Sequence, residues 1–378
     1  MRLGEPNLHF GFEVVRLTSP YSRKDQPVRL PSPRRLATVA AAGLVLALAA
    51  CGPNSANDEP AAGNASSAPA GASGFPISIP NRFGTAEVKA EPKRIVTVGL
   101  VEQDALLALG VVPVGTTEWF GEKPGAIWDW AQPALGSAPK PTVLTNTDGI
   151  QFEKVAALRP DLILAVYSGL TAQDYATLSK IAPTVAQPKD SIDYGVSWQD
   201  LTRTVGKSVG REAQADKLVT DTEAKFEQVK KDHPEFVGAT ALMATTYEGY
   251  WVYGPEDSRG RFLTELGFKL PDGLAAVTGK EFGANLSKER TDLLDTKVLI
   301  WLIDKYAPDK AKIQADPLYA KLKVKTEGRD IYLENEELEG GATSFVTVLS
   351  IPYLLDKLVP QLSAAIDGNP ATEVQRAS

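Results

Sequence analysis

Apolar positions along this chain recur with two alternating rhythms. Short, nearly unbroken apolar runs at residues 95–98, 111–115, 161–166, 184–186, 240–246, 297–303 and 331–333 read as strands, mostly of the kind buried on both faces of a sheet. Between them, residues 101–109, 152–158, 171–181, 261–266, 289–294 and 346–359 carry the helical spacing, the last with Pro352 in its first turns. Residues 75–88 read as a short hairpin interrupted by Pro80, Asn81 and Gly84. The longest helical pattern is 213–233, where Ala215, Leu218, Val219, Thr222, Phe226 and Val229 share one stripe. Glu212 and Asp216 lie near its start, Lys225, Lys230 and Lys231 near its end, and Pro234 stops it, in keeping with the helix dipole and with proline's missing N–H. Its 21 residues would rise roughly 31 Å, the width of a small domain.

Strands alternating with helices on both sides of that stretch predict an α/β fold: two α/β lobes with mainly parallel sheets, joined by a single long α-helix. The expected division is an N-terminal lobe at 75–195, a helical segment at 196–235 containing the interlobe helix, and a C-terminal lobe at 236–378. An internal repeat supports the pairing. The unit from Phe152-Glu153-Lys154 to Leu162-Ile163-Leu164 aligns without a gap on Lys288-Glu289-Arg290 to Val298-Leu299-Ile300, at a constant offset of 136 residues. A second, weaker echo joins Leu109-Gly110-Val111 to Leu266-Gly267-Phe268.

The N-terminus changes the picture of where the protein works. Arg34 and Arg35 precede an apolar or small run, residues 36–50 interrupted only by Thr38, that ends in Leu48-Ala49-Ala50-Cys51-Gly52. A basic flank, a short apolar stretch and small residues before a cut site make a secretory signal, and the run is too short for a comfortable membrane span. Leu-Ala-Ala-Cys resembles the lipobox of bacterial lipoproteins, which implies that Cys51 becomes the lipidated first residue of an extracytoplasmic protein anchored to the cell membrane. Residues 1–50 are thus expected to be a removed signal, with the true start downstream of Met1 and Val28 a candidate. Residues 51–74, rich in Ala, Ser, Gly, Pro and Asn, read as a flexible tether.

Charge and composition then exclude several chemistries. The net charge of −7 argues against nucleic acid as a partner, and removal of residues 1–50 leaves 33 basic against 44 acidic residues. Cys51 is the only cysteine, and of the two histidines His9 precedes the signal while His233 sits at the end of the strut as a helix cap. No histidine or cysteine cluster for a bare transition-metal ion can be assembled, so no direct metal site is expected, and a hydrolytic Ser–His or Cys–His pair has no base. GxGxxG, GxxxxGK[ST] and GxSxG are all missing, and no cofactor is expected.

Residues 75–360 carry a resemblance. Pro92-Lys93-Arg94-Ile95-Val96, Leu106-Leu107-Ala108-Leu109-Gly110-Val111, the stretch from Phe152-Glu153 through Arg159-Pro160-Asp161-Leu162-Ile163, and Ile181-Ala182-Pro183-Thr184-Val185 resemble the helical-hinge (class III) substrate-binding proteins of ABC importers, specifically iron-siderophore-binding lipoproteins. The resemblance implies a monomer that holds a ferric siderophore complex between its lobes, performs no chemistry, and delivers its cargo to an ABC permease and its ATPase. In that family a glutamate on each lobe meets arginines of the permease, and the matching positions are Glu153 and Glu289.

The chelate would be recognised by aromatic and cationic side chains beyond the carboxyl ends of strands. Trp119, Phe120, Tyr167, Tyr247, Tyr250, Trp251, Arg259 and Trp301 are the candidates, the aromatics to stack on the ligand and Arg259 to fork onto its oxygens. A core role competes for Trp301, packing within their own loop for Trp128 and Trp130, and an ion pair for Arg259 and Arg261. Haem- or cobalamin-binding proteins of the same architecture, a carboxylate-dependent surface hydrolase and a scaffold lipoprotein stay open as alternatives.

Overall fold

The computed structural model describes residues 74–147, 149–372 and 374. The signal run, Cys51 and the tether through residue 73 lie outside the described residues. The first lobe opens with a hairpin of β1 (Ile77–Asn81) and β2 (Gly84–Val88). There follow β3 (Ile95–Thr97), α1 (Glu102–Ala108), β4 (Gly115–Thr117), α2 (Gln132–Leu135), β5 (Thr142–Leu144), α3 (Phe152–Ala157), β6 (Leu162–Ala165), α4 (Ala172–Leu178) and β7 (Thr184–Ala186). Its sheet has the order β5-β4-β3-β6-β7 and every pairing is parallel.

Two helices connect the lobes, α5 (Trp198–Ser208) and α6 (Glu212–Asp232). The second lobe comprises β8 (Ala241–Thr246), β9 (Tyr250–Tyr253), α7 (Ser258–Glu265), α8 (Leu274–Thr278), β10 (Gly283–Leu286), a 3-10 turn at Lys288–Leu294, β11 (Val298–Ile303), α9 (Tyr306–Ala315), α10 (Lys323–Thr326), β12 (Asp330–Glu334), α11 (Leu338–Phe345) and α12 (Ser350–Ile366). Its sheet runs β10-β9-β8-β11-β12, parallel through β8, β11 and β12 but antiparallel where β9 and β10 are added. Both sheets lie within one compact unit.

The α6 strut works because its buried stripe serves two cores in succession. Ala215 packs in the first-lobe cluster with Leu106 and Val205, whereas Val219 and Phe226 pack in the second-lobe cluster with Phe262 and Leu354. Helix α5 crosses it closely: a β-carbon on Gly206 would collide with that of Ala215, so only glycine allows this approach. A helix anchored in both cores cannot bend without breaking one of them.

Several elements differ from the sequence-based expectation. Residues 111–114 are not strand, because the Val111 N–H turns back to the Leu106 carbonyl and β4 begins only at Gly115. Strands β5, β9 and β10 were not expected: β5 is short, and the other two follow turns rich in Gly and Glu that masked their alternation. The terminal helix starts at Ser350, not residue 346, since Val346 adopts a non-helical φ of 11° that separates α11 from α12. The repeat holds in three dimensions. Phe152 and Lys288 open helical turns that lead 136 residues apart into β6 and β11, each the fourth strand of its sheet.

Candidate functional site between the lobes

The carboxyl ends of β3 and β6 mark the point where the first sheet reverses its winding, and the chain places a buried acid there. Glu102, at the start of α1, accepts hydrogen bonds from the Tyr167 N–H at 2.8 Å and the Val101 N–H at 3.1 Å. A side chain on Gly99 would overlap the Glu102 carboxyl, so this crevice is filled by the acid itself. Burial pushes its pKa up to about 7, against the lowering by those backbone donors. The consequence is positional: the carboxyl pins the turn that carries Tyr167 out of β6.

Tyr167 faces the second lobe. Its phenol lies beside Asp257, Ser258, Arg259 and Arg261 at the start of α7, and burial keeps it protonated by raising its pKa. Arg259 is 6% exposed, its Nη1 is 3.2 Å from Asp257 Oδ1, and its guanidinium lies 4.2 Å from the Tyr253 ring centroid. Its Nη2 donates to Ser344 Oγ at the end of α11, while its Nε is buried without a hydrogen-bond partner. Arg261 bridges the lobes, donating from Nη1 to the Gly195 carbonyl at 2.6 Å and pairing through Nη2 with Glu256 at 2.9 Å.

Beside this polar group lies an aromatic one, centred on Phe345. The ring of Phe345 stands 5.5 Å from Trp119, 5.7 Å from Phe120, 5.6 Å from Trp128 and 5.5 Å from Trp130. Those four come from the loop after β4, so rings of the two lobes meet, Phe120, Trp128 and Trp130 edge to face with Phe345 and Trp119 tilted against it. Trp128 and Trp130 stack at 4.8 Å, and Trp130 donates its indole N–H to Asp104 at 2.8 Å. Asp104 also accepts from Thr347 of the second lobe at 2.6 Å, and burial raises its pKa to about 6.

The structure thus brings Trp119, Phe120, Tyr167 and Arg259 together. It separates the other candidates. Tyr247, which is 39% exposed, and Trp251 pair at 6.4 Å on the β8–β9 hairpin, with Phe282 5.7 Å from Trp251. Tyr250 belongs to β9, not to a loop, and strand alternation sends it with Val252 into the second-lobe core, 5.2 Å from Trp301. Trp301 is a core residue: it is 0% exposed and donates its indole N–H to Tyr319 Oη at 3.0 Å. Trp128 and Trp130 pack not merely within their own loop but against Phe345. Glu153 and Glu289 are both exposed in first turns, at α3 and at the 3-10 turn, and the Ser287 hydroxyl with backbone N–H donation lowers the Glu289 pKa.

Sequence reasoning missed Phe345, Tyr253 and Asp257. Phe345 sits inside an apolar stretch that looks like core, and no local signal places it against a loop more than two hundred residues earlier. Asp257 could have been found, since Asp-Ser before a helical pattern is an N-cap signature, and Asp257 does accept from the Arg259 N–H at 2.8 Å. Among the described residues no group of three or more His, Cys, Asp or Glu could hold a metal ion, and no helix is long and apolar enough to cross a membrane.

The profile of the periplasmic binding protein family matches residues 95–336. Among solved structures, a periplasmic solute binding protein of Mycobacterium smegmatis MC2 155 superposes with a TM-score of 0.67 at 36% identity, covering 77% of this chain and 98% of that one. PiaA of Streptococcus pneumoniae TIGR4, solved in complex with ferrichrome, gives 0.69 at 28% identity over 78% of this chain and 99% of PiaA. The ferric enterobactin-binding periplasmic protein FepB of Escherichia coli O6:H1 is 30% identical over 219 residues, 54% of this chain and 66% of FepB.

Proposed function

Because this chain belongs to the periplasmic binding protein family, a family of substrate-binding proteins rather than enzymes, we propose that it is the extracytoplasmic binding component of an ABC importer that captures a ferric siderophore complex between its lobes. The observation that carries this reading is the seam between the lobes, where Tyr167 and Trp119 of one lobe meet Arg259 and Phe345 of the other. Aromatic faces suit the organic skeleton of a chelate, and the donors suit its oxygen atoms. Entry of a ligand requires the rings of Trp119 and Phe120 to part from Phe345, a small movement about the α6 strut. The ferrichrome complex of PiaA and the ferric enterobactin-binding FepB support a chelate as cargo.

Residues 1–50 are the signal, Cys51 carries the lipid, 51–74 form the tether, and the lobes extend over 75–195 and 236–378. The protein acts as a monomer that docks on its permease through Glu153 and Glu289. These two stand at equivalent places of the repeat, each in the turn before the fourth strand of its sheet, as contact with two related permease halves would demand.

A tryptophan-fluorescence titration of the full chain with ferric siderophores, haemin and cobalamin tests the cargo. The expected outcome is saturable quenching by ferric siderophores at submicromolar concentration, in the range of about −8 kcal/mol or tighter, with Trp119 the responsible fluorophore. Saturation by cobalamin or haemin and by no siderophore would contradict the reading.

A further inference from the structure

We infer that the groove selects a ferric chelate of no net charge, of the tris-hydroxamate type, over the polyanionic complexes formed by catecholates and hydroxycarboxylates. This rests on the reading above that the groove holds a ferric chelate. The argument is one of charge balance. Both groove arginines already carry a carboxylate of their own: Arg259 pairs with Asp257, their side chains 8% and 4% exposed, and Arg261 pairs with Glu256. The first-lobe rim adds Lys123, whose ammonium lies 4.6 Å from the Trp128 ring centroid. The same loop carries Glu118 and Glu122, and burial together with the charge of Glu122 raises the Glu118 pKa. Together these segments carry three cations against four carboxylates.

An anion of triple charge entering this groove would lose hydration and find its natural partner, the Arg259 fork, occupied by a buried aspartate. Desolvating unpaired charge is strongly unfavourable in a protein interior. A neutral hydroxamate complex asks for something else, namely donors for its carbonyl and hydroxamate oxygens and apolar faces for its hydrocarbon. Both are present. Tyr167 offers a hydroxyl that burial keeps protonated, Arg259 Nε is buried without a partner, and Trp119 and Phe120 present half-buried rings. A buried N–H left unpaired is costly, and a ligand oxygen would satisfy it.

The test is a pair of calorimetric titrations of the full chain, one with ferrichrome, a neutral tris-hydroxamate, and one with ferric enterobactin, a triply anionic tris-catecholate, at equal ionic strength. Ferrichrome should bind at least about a hundredfold more tightly. Asp257→Asn keeps an N-cap for α7 but uncovers the charge of Arg259, and should narrow that ratio by about tenfold. Ferric enterobactin binding as tightly as ferrichrome, or a ratio indifferent to Asp257→Asn, overturns the charge argument while leaving a chelate-binding protein. Binding of neither compound removes both this inference and the function on which it rests.

Discussion

Glu102 and Asp104 occupy the same turn of α1, and each is a buried acid with a raised pKa, yet they do different work. Glu102 holds the backbone of its own lobe at Tyr167, and Asp104 reaches across to Thr347 of the other. An acid whose pKa is raised by folding favours the folded state when protonated. The stabilisation is full below the unfolded values of 4.5 and 3.8 and is lost as pH climbs through about 7 for Glu102 and about 6 for Asp104. Thermal melts should therefore show a stability component that declines between pH 4 and pH 7, and Glu102→Gln should flatten the upper part of that decline. An unchanged slope in the variant would show that Glu102 does not titrate in this window. Thr347→Val leaves Asp104 with Trp130 alone and should cost about 1–2 kcal/mol, read by urea unfolding. Both acids were legible as letters near a helix start, but nothing nearby in the sequence foretold their burial, because their partners lie 65 and 243 residues away.

Among the elements, α6 was the most legible and β9 the least. A long amphipathic stripe with charged ends and a terminal proline needs no tertiary context to be recognised, and the observed Glu212–Asp232 differs from the expected 213–233 by one residue at each end. Strand β9 is only four residues, Tyr250–Tyr253, and three of them are aromatic, so its alternation resolves only once one face meets Trp301 and the other Arg259. The strut's two anchors can be tested separately. Phe226→Ala removes the aromatic contact with Phe262, 5.7 Å between centroids, and should destabilise by about 3–5 kcal/mol. Gly206→Val drives a side chain into Ala215 and should cost about 1–3 kcal/mol by overpacking where α5 crosses α6. Chemical denaturation measures both. If Gly206→Val were neutral, the close crossing would not be a requirement of the fold.

At the scale of the whole molecule, rigidity of the strut and equivalence of the lobes suit the proposed delivery role, in which a permease would recognise two surfaces held at a fixed separation. Replacing Glu153 and Glu289 together by Ala should leave siderophore affinity within about twofold and abolish uptake by cells, because both carboxylates are exposed in turns that precede β6 and β11, whereas Tyr167 follows β6. Loss of binding in solution would place them in the ligand site instead.

The amino-acid sequence by itself determined the class of the fold, the strut and the repeat, since these rest on periodicities of 2 and 3.6 that are local properties of the chain. It also carried the aromatic and arginine residues from which the groove is made. Which of them face the groove was decided by tertiary structure alone. Trp301, in the middle of an apolar strand run, was already legible as core, whereas Tyr250 was not separable from Tyr167 by local pattern and is turned inward by the face of β9 on which it falls. The pairing of Arg259 with Asp257 and its stacking on Tyr253 likewise arose only when α7 packed beside β9, and it is this packing, not the count of basic residues, that sets the charge between the lobes.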